Sequence, residues 1–181
     1  MAGGNQPGTL EMTDIRLTAG LAAILTALCG ASAAAPVEAP PGWSQPAPAD
    51  LTGEDAASRR ASPSRYLSST ADFNGDGKAD EARILVNRSA GTYGVFIFPG
   101  GPEAPTKLHE GPLAEVSRTG IATAPTGVYR PACADGAAPR GQCESAAVQI
   151  TASGLRHFTF EAGARVYYWD GRRYAVVDVA D

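Results

Sequence analysis

The segment Asp72-Phe73-Asn74-Gly75-Asp76-Gly77-Lys78-Ala79-Asp80 constrains the chain more than any other. It reads D-x-N-x-D-G-x-x-D, with side-chain oxygens at its first, third, fifth and ninth positions. Oxygen donors at that spacing suit calcium, a hard cation that takes about six to eight oxygen ligands. Asp72, Asn74, Asp76 and Asp80 are the expected side-chain ligands. Lys78, whose ammonium cannot ligate a cation, is expected to give its backbone carbonyl. Gly75 and Gly77 let the chain curl through conformations that a side chain would penalise. Asn-Gly-Asp-Gly is also ordinary turn sequence. The fourth oxygen and the strand that follows weigh against an empty turn. A helical calcium switch does not fit, because the twelfth position, where an EF-hand carries a bidentate Glu, is Arg83. The next residues, Ala82-Arg83-Ile84-Leu85-Val86, have strand character. The loop therefore feeds a sheet.

The period elsewhere is also that of strands. Residues 82–87 and 93–98 flank a hairpin connection at 88–92, and Pro99-Gly100-Gly101-Pro102 stops the second strand. Residues 106–110, 119–124 and 128–129 are weaker strands. Residues 147–151, 155–160, 165–169 and 174–179 predict a meander. Its register follows from its turns. A 152–154 loop pairs Val148 with Phe158, a 161–163 loop pairs Phe158 with Val166, and an Asp170-Gly171 turn pairs Val166 with Ala175. Val148, Ile150, Phe158, Phe160, Val166, Ala175, Val177 and Val179 then form the predicted core face, with Tyr168 and Arg173 at its rim. The opposite face carries Tyr167, Trp169, Arg172 and Tyr174, with His157 nearby. Aromatics beside an arginine form a candidate surface for a glycan or a protein. The alternative is that the N-terminal strands cover this face as a second layer. The expected fold is mainly β, a single domain with an antiparallel sheet or meander, as a two-layer sandwich or partly open barrel.

The front of the chain reads as addressing. Residues 17–35 are apolar or small, Arg16 precedes them, and Ala31-Ser32-Ala33 fits an A-x-A cleavage site. Residues 1–33 are thus expected to be a signal peptide, with Met12 a plausible start. The competing reading is a membrane anchor, since the stretch approaches the ~20 residues that span a bilayer. Its Ala and Gly content and cleavage-like end favour removal. Residues 34–62, rich in Ala, Pro and Ser, are expected to be a disordered linker, and residues 63–181 the folded domain. Export places the chain in the periplasm or outside the cell, where Cys133 and Cys143 most simply form a disulfide. Closing so short a loop contributes roughly 2–3 kcal/mol. A zinc site on these cysteines would need two more ligands, and His109 and His157 stand at no recognisable metal spacing.

A formal net charge of −4 and the lack of a basic run argue against nucleic-acid binding. No G-x-S-x-G elbow, H-E-x-x-H helix or phosphate loop is present. His109-Glu110 is a tempting acid–base pair, but adjacent strand residues point to opposite faces. The expected role is non-catalytic binding or an envelope-associated interaction, with calcium structural. The alternatives are a small periplasmic hydrolase and an inhibitor of a cell-envelope enzyme. A pocket joining His109 or His157 to a carboxylate would favour the hydrolase.

The loop and the strand after it resemble the calcium loops of FG-GAP and VCBS repeats, found in integrin-type β-propellers, over residues 70–100. No second D-x-N-x-D-G occurs, so a complete propeller is not expected. A wider resemblance is to small exported bacterial proteins of unknown function that carry a single such loop. It rests on Tyr93-Gly94-Val95-Phe96, on Thr126-Gly127-Val128-Tyr129-Arg130-Pro131-Ala132-Cys133, and on residues 158–170. In the second piece, Pro125 and Thr126 stand where that pattern has a Pro-Gly pair. The resemblance implies a calcium loop and brings no activity.

Overall fold

Alternating apolar residues and glycine-marked turns produce ten short strands in the computed structural model, which describes residues 1, 38–53, 59, 62, 64–132 and 147–179. They are β1 (Ser68–Ala71), β2 (Asp80–Asn87), β3 (Thr92–Phe98), β4 (Thr106–Pro112), β5 (Thr119–Ala124), β6 (Gly127–Tyr129), β7 (Val148–Ile150), β8 (Gly154–Thr159), β9 (Gly163–Trp169) and β10 (Tyr174–Val179). Two four-stranded sheets result, ordered β1-β2-β3-β4 and β10-β9-β8-β5, with a two-stranded ribbon of β6 and β7. All the pairings are antiparallel. The chain is mainly β, and among the described residues no closed barrel forms.

The sheets pack face to face. Ala82, Ile84 and Val86 of β2 and Tyr93, Val95 and Ile97 of β3 meet Ile121, Leu155 and Tyr167 of the second sheet. Along one side the edges of β1 and β5 are stitched together. Ser69 and Thr123 share a hydroxyl hydrogen bond of 2.7 Å, and the Ile121 N–H donates to the Tyr66 carbonyl. The ribbon covers the far face of the second sheet, where Ala124, Ile150, Val166 and Val177 make a second cluster with Val148 and Val179.

Several expectations need correction. The β7 strand does not pair with β8; it pairs with β6, matching Val148 to Tyr129 and Ile150 to Gly127. The physical reason is that β5 matches six residues of β8, from Thr119↔Thr159 to Ala124↔Gly154, whereas β7 is only three residues long. Phe158 pairs with Ala164 rather than Val166, because the turn centres on Glu161 at φ +58°, with the Ala162 N–H donating to the Thr159 carbonyl. Val166 pairs with Val177 rather than Ala175. There the Asp170 carboxylate precedes the turn and accepts the Arg172 and Arg173 N–H groups at 2.8 and 2.9 Å, moving the tip to Gly171 and Arg172. Each slip keeps every side chain on its expected face, since only odd shifts flip a strand. Phe158 and Phe160 leave the predicted cluster and pack edge-on around Tyr66, at 5.3 and 5.9 Å between ring centres.

The linker expectation is also corrected for the residues described. Strand β3 is buried on both faces, so its outer side needs cover. Ala39 and Trp43 pack on Leu85, Phe96 and Phe98, and Ser44 bridges to Val86. Leu51, in a 3-10 turn at Pro48–Leu51, is buried. Arg59 is buried too, donating to the Thr119 carbonyl with its guanidinium over the Phe160 ring. Composition hid this because a few apolar residues, set among many Pro and Ala, do the packing. Gly94 makes it possible, since a Cβ there would lie 3.0 Å from the Trp43 ring and 2.7 Å from Phe96. The signal-peptide region, Met1 aside, lies outside the described residues, as do Cys133 and Cys143.

Trp43→Ala should therefore destabilise the domain by about 2 kcal/mol, below the 3–5 typical of a fully buried Trp. Urea unfolding measures it, and an unchanged midpoint would return residues 38–51 to the status of a linker.

Candidate functional site

Two places in the sandwich gather chemistry, at opposite ends of β9. The first is the 72–80 loop between β1 and β2. Phe73 is buried in the sandwich core and anchors the loop. Asp80 is 0% exposed, and its two carboxylate oxygens accept the Phe73 and Gly100 N–H groups, each at 2.9 Å. Its carboxylate thus ties the loop base to the end of β3. Asp72 accepts from Gly75 at 2.7 Å, Asp76 at 3.1 Å and Gly77 at 2.9 Å. Asn74 accepts from Asp76, and Asp76 from Lys78. Gly75 and Gly77 take φ +77° and +82°, as the curl requires.

Among the described residues, no three His, Cys, Asp or Glu side chains form a ready metal group. The loop carboxylates are instead held by backbone amides, and Asp80 turns inward as an anchor. The donor chemistry nonetheless fits a hard cation. Asp72, Asn74 and Asp76 offer only oxygen, and the nearest ammonium, Lys78, reaches one carboxylate, Asp76, at 3.9 Å. The negative field is felt nearby, where burial and then the charges of Asp80, Asp72 and Asp76 push the Tyr174 hydroxyl well above the usual phenol range.

The expected aromatic surface does not exist as a single exposed face. Tyr167 is 6% exposed and belongs to the sandwich core, against which Tyr174 packs. Trp169 stacks edge-on with Tyr174 at 5.1 Å, and Arg172 lies exposed in the turn. The first sheet covers Tyr167 and packs on Tyr174, while Val176, opposite Tyr167 at the β10 edge, stays exposed.

The second place is a cleft of about 710 Å³ between the sheets, lined by Tyr93, His109, His157, Arg165, Glu115 and Asp178 among others. His109 arrives from β4 through a bulge. Val95 pairs with His109 and Phe96 with Lys107, leaving Leu108 extra. Lys107 and His109 would share a face in a regular strand. The bulge sends Lys107 outward over the Trp43 ring and lets Leu108 and His109 both point inward. Glu110 faces outward and pairs with Lys107, so the tempting His109-Glu110 pair is split. His157 comes from β8, between Ile121 of β5 and Arg165 of β9. The two imidazoles meet across the sandwich with ring centres 4.7 Å apart. Tyr93 lies over Gly111, where a Cβ would sit 2.7 Å from its ring, and its hydroxyl is 3.1 Å from His109 Nε2.

His157 is 6% exposed and neither of its ring nitrogens has a hydrogen-bond partner. Burial, then the charges of His109 and Arg165, lower its pKa from 6.5 to about 3. Burial and Arg165 lower His109 as well. Burial raises Tyr93. Sequence reasoning named both histidines but had no signal to join them, because the contact spans two sheets and depends on the bulge.

The chain matches no family model, no curated protein and no solved structure.

The buried, neutral His157 makes stability fall with acid. Above pH 6.5 both folded and unfolded chains hold it neutral; between 6.5 and about 3 only the unfolded chain takes up the proton. Each pH unit in that window costs about 1.4 kcal/mol, and His109 acts in the same sense. Urea unfolding from pH 7 to pH 4 should show this slope, and His157→Phe should flatten it. A slope unchanged in His157→Phe would assign acid sensitivity to other groups.

Proposed function

We propose that this chain is an exported, calcium-binding β domain with a non-catalytic binding role, in which calcium is structural. The observation that carries the reading is the donor set of the 72–80 loop. Asp72, Asn74 and Asp76 present oxygen on a curl whose base is fixed by buried Asp80, and Lys78 compensates one carboxylate of three. Asp72 through Oδ2, Asn74, Asp76 and the Lys78 carbonyl would hold the ion, since a carboxylate oxygen that accepts one hydrogen bond keeps further acceptor capacity; Asp80, expected as a further ligand, is the buried anchor beneath them. A bound divalent cation would supply charge neutralisation and a cross-link between β1 and β2. Export to the periplasm or beyond is supported by the apolar leader, Arg16 and Ala31-Ser32-Ala33. Among the described residues no helix is long and apolar enough to cross a membrane.

One observation favours the second reading, a small hydrolase: His109 and His157 share a cleft with Glu115 and Asp178. Two features support binding instead. Neither ring nitrogen of His157 has a carboxylate partner to orient it. A group with a pKa of about 3 is also a weak base near neutrality.

Calcium titrated into the chelated chain should bind by calorimetry and raise its melting temperature. At a hundredfold excess over Kd the stabilisation is about 2.7 kcal/mol. Asp76→Ala should lose both effects. No heat and no melting shift up to millimolar calcium would sink the proposal.

A further inference from the structure

The cleft at the other end of β9 stands independently of the calcium loop. Its centre is an imidazole, His157, that is more than nine-tenths buried with both ring nitrogens unpartnered. Buried polar groups in folded proteins are nearly always satisfied, and an orphan marks a place for water, an ion or a ligand. The ring lines the cleft and faces a second imidazole, His109, at 4.7 Å.

The chemistry of the lining selects among occupants. Three carboxylates, Glu115, Glu161 and Asp178, line the cleft with one guanidinium, Arg165, which pairs with Asp178 at 3.6 Å and leaves Glu115 and Glu161 as the net charge. That balance disfavours an anion and favours a cation. The nearest inward donors are nitrogen, which hard cations such as calcium avoid and zinc, nickel and copper accept. Two imidazoles sharing a metal at about 2.0–2.1 Å from each nitrogen have ring centres on the order of 5 Å apart, near the separation observed. His109 Nε2 is occupied by the Tyr93 hydroxyl at 3.1 Å. This is the outer-shell bond that commonly fixes the orientation of a ligating histidine, and it leaves Nδ1 for a ligand.

We propose that His109 and His157 form a two-imidazole site, spanning the two sheets, for a divalent transition metal of the zinc class. Tyr93 positions His109. Among the described residues no further His, Cys, Asp or Glu completes a set with the pair, so the other coordination positions are open to water or to an incoming ligand.

Zinc chloride titrated by calorimetry into the chelated full chain, with calcium present, tests this. One zinc per chain is expected, with affinity at least tenfold weaker in His109→Ala and in His157→Gln and unchanged in Asp76→Ala. Cobalt in place of zinc should give visible absorption that both histidine variants lose. Should His157→Gln fail to fold by circular dichroism, His109→Ala, altering a half-buried residue, carries the test alone. No zinc binding up to millimolar concentration would overturn the proposal and leave the buried imidazole served by water. Equal binding in His109→Ala would overturn it as well, placing the ion on the cysteines or the loop carboxylates.

Discussion

Strand β3 is apolar on both faces, and a strand with two apolar faces has to be covered twice. The rest of the architecture answers that demand. The inner face, through Tyr93, Val95 and Ile97, needs a second sheet, which β5, β8, β9 and β10 supply. The outer face, through Phe96 and Phe98, needs a strap, which Ala39 and Trp43 supply. Once the second sheet turns Leu155 and Tyr167 toward β3, its other face exposes Val166 and Val177, and the β6–β7 ribbon closes that in turn. Each layer exists because the previous one left apolar surface in water, at roughly 25 cal/mol per Å².

The same requirement decides what the two chemical places can be. The 72–80 loop sits outside the layers, so its carboxylates stay near solvent while Asp80 alone is drawn inside and held by two backbone amides. The cleft sits between the layers, so its histidines lose water, and burial lowers the pKa of both. Acid groups at the surface and bases in the interior give one domain two unlike environments, about one strand length apart.

Much of this was legible in the sequence, and the remainder failed for definite reasons. The strands of residues 82–87 and 93–98 and the alternation of β8 to β10 follow from period-2 patterning, and so do the faces, because both register slips were even. The partner of β7 was not legible, since adjacency in sequence favours β8 while the count of available hydrogen bonds favours β5 in that place. Tyr167 and Tyr174 read as a surface because aromatics suit both surfaces and cores; only the first sheet, packed on them, decides. Trp43 was lost in a Pro- and Ala-rich background. His109 and His157 are separated by nearly fifty residues, and no local pattern joins them.

The bulge at Leu108 makes β4 a strand with two reading frames. Residues before it alternate in one phase and residues after it in the other, so Lys107 serves the outside and His109 the inside. Leu108 is the residue that absorbs the phase change. Its removal would restore a regular ladder while leaving Lys107 and His109 on the faces they now occupy, at the loss of its own packing. At this point of the chain, length and side-chain direction are uncoupled, and a one-residue indel is a gentler change than it is elsewhere in a two-faced strand.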